Sequence, residues 1–178
     1  MSETQIFEVR GFHVTIIDRD AFTLVGFSRL VKLDGKSIAA WLKDLTRSGN
    51  LARLAATLDA PQQIWVCLSG NEGHLEADCR CTVCVEKTSR HQFAAFADGE
   101  LVFRQVAASS WACFEVNARQ SPGELHANNV YEMITEIGYS WNREVGLHLD
   151  NEHEWQPGKS MVFWLPVRKE CPVGGVRT

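Results

Sequence analysis

Apolar and polar positions along this chain repeat with two different periods, and the places where the period changes mark the elements. Residues 22–31 (Phe-Thr-Leu-Val-Gly-Phe-Ser-Arg-Leu-Val) read as a strand that Asp34-Gly35 closes. Ile38, Trp41, Leu42 and Leu45 then fall at i, i+3, i+4 and i+7, one stripe of a helix. After the break Ser48-Gly49-Asn50, Leu51, Leu54, Ala55 and Leu58 repeat that spacing as a second short helix, which Pro61 ends. Residues 62–68 and 79–87 are two further strands across a polar turn at 69–73.

The second half repeats the order. Residues 102–117 predict one long or broken strand. Ser121-Pro122-Gly123-Glu124 has the form of a capping box, with proline at the first helical position, and starts a helix expected over 122–141. Val130, Ile134, Ile137 and Trp141 supply its apolar stripe, and Gly146 is a plausible stop. Residues 152–156 and 160–169 predict the last two strands.

Strand-helix-strand-strand twice over points to an α+β fold built by internal duplication, with units at about 22–88 and 102–169. Residues 1–178 are expected to form a single domain. The helices of both units would cover one face of one antiparallel sheet and leave the other as a central groove, the kind of seam where ligands bind.

Strand alternation sorts the side chains of that sheet. Ile64, Val66 and Leu68, with Ala112, Phe114 and Val116, and Phe163, Leu165 and Val167, belong under the helices. Trp65, Trp111 and Trp164 then share the groove face, where Glu115 falls too. Trp41 and Trp141 sit on helical stripes and are expected in the core. A carboxylate among aromatics is costly to desolvate and usually keeps water, a partner or a waiting site. Such a wall suits a flat, lipophilic cation.

Composition narrows the partners. Of 178 residues, 45% are hydrophobic and 22% charged, enough apolar material for a sizeable core. Disorder is expected only at 1–5 and 172–178. A net charge of -4 and a pI near 5.9 disfavour direct nucleic-acid binding, which needs a basic face. No apolar run reaches the ~20 residues of a membrane span, so no membrane partner is expected. The start, Met-Ser-Glu-Thr-Gln, lacks a signal-peptide pattern, and the expected compartment is the cytoplasm.

Six cysteines then read as free thiols. Cys79, Cys81 and Cys84 form C-x-C-x-x-C near His74, but on a strand Cys84 points away from the other two. His148, Asp150, Glu152 and Glu154 alternate, a pattern that surface segments supply freely. No metal and no cofactor are expected. Cys113 or Cys67 paired with a histidine has no supporting signature as a nucleophile.

The order Trp111-Ala112-x-Phe114, a capped helix ending in Trp141, Glu154 on a strand, and Phe163-Trp164-Leu165-Pro166-Val167 resembles the GyrI-like small-molecule-binding domain. The same domain is the effector-binding module of multidrug-responsive AraC- and MerR-type regulators. The resemblance spans residues 22–169. It implies a duplicated strand-helix-strand-strand fold and a ligand between the halves, held by aromatic rings and a glutamate. Carried over, that glutamate is Glu154. The family's aromatic two residues beyond it is Gln156 here, although Trp155 adjoins it, and alternation points Glu154 and Trp155 to opposite faces. The tyrosine usual at the fourth strand is Trp111. Only about twenty residues precede the resemblance, too few for a DNA-binding segment, so a stand-alone binder is expected.

The expected function is therefore non-catalytic binding of lipophilic, cationic, drug-like compounds by Glu154, Glu115, Trp65, Trp111, Trp164 and Trp155. Glu154 has a bland alternative, a solvated place in the acidic run 150–154. Two further readings stay open. One is a hydrolase of small electrophiles using the groove glutamate as acid or base, against which Tyr131 and Tyr139 are both placed on the helix. The other is a homodimer or a module for a regulatory protein partner.

Overall fold

A computed structural model describes residues 4–32, 34–57, 63–69, 78–88, 93–151 and 159–170. It opens with two strands, β1 (Gln5–Val9) and β2 (Phe12–Arg19). Arg10 and Gly11 join them with φ of 49 and 82°, the left-handed pair that a two-residue hairpin turn requires. The sequence pattern starts the first unit at Phe22 and assigns no strand before it, so this hairpin was missed. The partner of β2 is remote in the chain (His13 lies opposite Glu115), so local pattern carries little trace of the pairing.

The first unit follows as β3 (Phe22–Lys32), α1 (Gly35–Arg47), α2 (Asn50–Ala55), β4 (Trp65–Ser69) and β5 (Asp78–Glu86). Asp34 caps α1 by accepting from the Ser37 amide, and Trp41 and Leu45 are its buried stripe. Gly49, at φ 78°, turns the chain from α1 into α2.

The second unit keeps to expectation in its first strands and departs from it at its helix. Residues 102–117 are broken into β6 (Val102–Val106) and β7 (Ser109–Val116). The single helix expected over 122–141 is instead α3 (Pro122–Ala127), α4 (Val130–Glu136) and a short strand, β8 (Tyr139–Trp141). The capping box at Ser121 and Glu124 forms with both of its hydrogen bonds. The helix is then interrupted by Asn129, at φ 55°, whose side chain caps α4 through the Tyr131 amide. Gly138, at φ 82°, turns α4 into β8. Trp141 and Tyr139 therefore sit on a strand, and Gly146 lies between β8 and β9 (Leu147–Asp150). The strand expected at 152–156 lies outside the described residues, and β10 (Met161–Lys169) matches the one expected at 160–169.

All pairings in the ten-stranded sheet are antiparallel. The order is β1-β2-β7-β10-β9-β4-β5-β3-β6, with β8 added on β10. It reads alike from either side of the β9–β4 pair: β10 then β7 on one side, β5 then β3 on the other. The strand preceding each unit is exchanged, since β2 lies on β7 and β6 lies on β3.

Register across the centre separates two faces. Phe163, Asp150 and Val66 stand in one row, and Trp164, Leu149 and Cys67 in the next. Phe163 packs with Leu125, Met133 and Ile134 of α3 and α4, whereas Val66 packs with Trp41, Leu45 and Leu54 of α1 and α2. Both helix pairs thus cover one face. The opposite face carries its own cluster, from Leu24 and Phe22 through Trp65 and Leu149 to Trp111.

Candidate functional site

The helix-free face is concave, and ring contacts show it. β7 is third and β3 eighth along the sheet, five steps that would separate them by about 24 Å if flat. Yet the rings of Phe22 on β3 and Trp111 on β7 are 5.8 Å apart. Arg19 on β2 likewise reaches Glu86 on β5. The sheet is curled until its two halves meet across the hollow.

Alternation assigned Trp65, Trp111 and Trp164 to this face, and the structure brings them together. Trp164 lies 5.1 Å from Trp65 and 6.2 Å from Trp111. Trp65 and Trp111 are buried and Trp164 is half-buried. The Trp111 indole N–H is buried without a hydrogen-bond acceptor among the described residues, as is that of Trp141 on the helix side. Glu115 is on the same face but exposed, four residues and so about 13 Å along β7 from Trp111. Its neighbours in register are His13 and Val162. Glu154 and Trp155 lie outside the described residues.

Two charged residues that the sequence reading passed over stand at the aromatic cluster. The Arg19 guanidinium is 4.3 Å from the Phe22 ring centroid and 5.2 Å from that of Trp164. One of its nitrogens donates to both oxygens of Glu86, at 2.7 and 2.8 Å. Both side chains are partly buried, 22% and 32% exposed, where such a bond is stronger than on open surface. Glu86 could have been found by the alternation that found the tryptophans, because it is two residues beyond Cys84 on β5. Arg19 could not, since β2 was missed. On the same face Arg104 of β6 donates to the Ser69 hydroxyl.

The thiols here are not poised to react. Burial pushes Cys67 up to about 12 against the opposing pull of Arg104, and it pushes half-buried Cys113 up to about 12 as well. Cys84 is raised by the same burial. Cys79 and Cys81 enter the cluster under α1 while Cys84 enters the concave one, so the three do not converge. Among the described residues no His, Cys, Asp and Glu group has a metal-binding arrangement. His148 and Asp150 lie on the helix side, Nε2 to Oδ2 at 4.0 Å.

No family model matches the chain, and no curated protein matches it in sequence. Solved structures match its architecture. SAV2435 bound to tetraphenylphosphonium shares 13% identity over 94% of each chain, with a TM-score of 0.58. The fold is the GyrI-like one. The EcmrR C-terminal domain is 11% identical over 89% of this chain and 98% of its own, at 0.56. A hydrolase encoded by lin2189 from Listeria innocua is 8% identical over 87% and 91%, at 0.51. Identities this low speak for a shared architecture alone. No helix among the described residues is long and apolar enough to cross a membrane.

Proposed function

We propose that this chain binds lipophilic, positively charged, aromatic small molecules on its concave face. Trp65, Trp111 and Trp164 would form the wall, with Trp155 beside it, and Glu154, Glu115 and Glu86 would supply negative charge. The observation that carries this reading is the protein's own cation. Arg19 already stacks on Phe22 and Trp164 and bonds Glu86, the contacts a cationic ligand would use. Support comes from SAV2435, whose structure holds tetraphenylphosphonium. Each cation–aromatic contact adds about 0.5 to 2 kcal/mol, and micromolar affinity needs about 8 kcal/mol. Most of the affinity must therefore come from apolar burial, with the carboxylates setting charge preference.

The test is a set of aryl ligands that differ in charge: cationic tetraphenylphosphonium, anionic tetraphenylborate of equal size, and the somewhat smaller neutral triphenylphosphine oxide. Titrations followed by tryptophan fluorescence should show quenching by the cation and none by the borate. Equal quenching by both ions would reject charge selection.

The Listeria innocua neighbour gives a hydrolase reading some footing. It is weaker on chemistry. Tyr139 belongs to the cluster beneath α3 and α4, Tyr131 packs on Trp141, and the concave thiols are held protonated. Neither a tyrosine nor a ready thiolate thus joins Glu86 among the described residues, and acid–base chemistry needs such a second group.

A further inference from the structure

We infer that Arg19 is a built-in occupant of the cation seat, and that a cationic ligand binds by displacing it from Glu86. This rests on the cationic-ligand reading above and adds a gate to it. A guanidinium centred near two aromatic rings and bonded to a carboxylate reproduces, within one chain, the recognition of a lipophilic cation. The seat cannot hold both charges, because two cations sharing one carboxylate repel across a partly buried site.

The released arginine has somewhere to go. Beside Arg19, at the ends of β2 and β7, lies an open hollow of about 380 Å³ lined by Arg19, Asp18, Asp20, Ser109 and Ser110. Two carboxylates there flank Arg19 in sequence, so a rotation of its long side chain exchanges Glu86 for an acidic, wetter setting. Leaving Glu86 still costs a partly desolvated bond. Arg19 thus lowers the affinity for every cation and excludes those too weakly stacking to offset that loss.

The role differs from that of a plain clamp between β2 and β5 in the sign of its effect. Arg19→Met keeps apolar length and removes the charge. Calorimetric titration of the full chain with tetraphenylphosphonium should show about tenfold tighter binding to Arg19→Met than to wild type, the order of one charge-assisted bond. Neutral triphenylphosphine oxide should change by less than about twofold. Glu86→Gln should weaken the cation. Unchanged or weaker cation binding in Arg19→Met would make Arg19 a clamp and overturn the inference. An equal gain for the neutral ligand would also overturn it, since that reports opened space and no exchange of charge. Binding by neither wild type nor Arg19→Met would sink the cationic reading and this inference together, whereas binding by Arg19→Met alone would support both. If Arg19→Met does not fold, Arg19→Lys, which keeps charge but loses the planar contact, should still bind the cation more tightly than wild type, and failure to do so would overturn the inference.

Discussion

The rings of Phe22 and Trp111 meet at 5.8 Å although their strands stand five places apart in the sheet. That contact ties the two halves across the concave face and makes the aromatic wall one unit. Trp111 is fully buried, so truncation opens a cavity that flanking strands cannot easily fill. Trp111→Ala is expected to cost about 3 to 5 kcal/mol in chemical denaturation. Trp111→Phe, which keeps a ring against Phe22 and removes an indole N–H that has no acceptor among the described residues, should cost less than half of that.

Gly26 permits the curl where β3 runs between β5 and β6. A Cβ there would lie 2.0 Å from the Val83 carbonyl oxygen and 2.6 Å from the Cys84 Cα, both backbone atoms that cannot rotate away. Gly26→Ala should lower stability by more than about 3 kcal/mol or prevent folding, beyond the usual range for an added methyl in a packed site. Circular dichroism melting of the variant checks this. A melting temperature within a few degrees of wild type would mean that the strands separate more readily than their packing indicates.

His148 makes stability depend on pH. Burial, and to a lesser degree the nearby His126, hold its pKa down to about 4, against about 6.5 in an unfolded chain. The unfolded state therefore binds the proton first. Stability is full above pH ~6.5 and falls as the pH drops towards 4, by at most about 3 kcal/mol. Its side chain keeps 22% exposure and Asp150 is 4.0 Å away, which both reduce that figure. Denaturant titrations at pH 7 and pH 4.5 should show a loss that is markedly smaller in His148→Gln.

How far the sequence reached can be seen residue by residue. Period-two alternation was sufficient to put Trp65, Trp111 and Trp164 on one face and Val66, Phe114 and Phe163 on the other, because a strand offers its side chains only two directions. It could not show how near those tryptophans come, since the curl is set by pairings between remote strands. Arg19 escaped for that reason, along with β2, whereas Glu86 was within reach of alternation, two residues beyond Cys84, and only its pairing with Arg19 was hidden. The expected helix over 122–141 failed at Asn129 and Gly138, where left-handed backbone overrode an apolar spacing that continues through Trp141. Glu154 and Trp155 rest on the resemblance alone.

Thiol accessibility tests the packing of both faces at once. Cys67 and Cys84 are fully buried on the concave side and Cys81 is fully buried on the helix side, all with pKa values raised by burial. Native protein treated with iodoacetamide at pH 8 should leave these three unmodified by peptide mass mapping, while unfolded protein is modified throughout. Fast labelling of Cys84 in native protein would mean that the hollow opens to solvent without a ligand.

Charge selection separates the carboxylates from the wall. Glu86→Gln and Glu154→Gln each keep shape and remove charge. If either group faces the bound cation, its substitution should weaken tetraphenylphosphonium by about 1 to 3 kcal/mol and leave triphenylphosphine oxide nearly unchanged. Glu86→Gln has an added consequence, because it also frees Arg19 from the carboxylate that holds it at the rings, leaving a cation near the seat. Its loss should therefore shrink when Arg19→Met is introduced with it, whereas a loss in Glu154→Gln should be insensitive to that second change. Trp164→Ala removes wall area and no charge, so it should weaken the cation and the neutral ligand alike. Calorimetry on these variants with the two ligands distinguishes the cases. Equal losses for cation and neutral ligand in both glutamine variants would make the carboxylates structural and remove the physical basis for a cation-selective site.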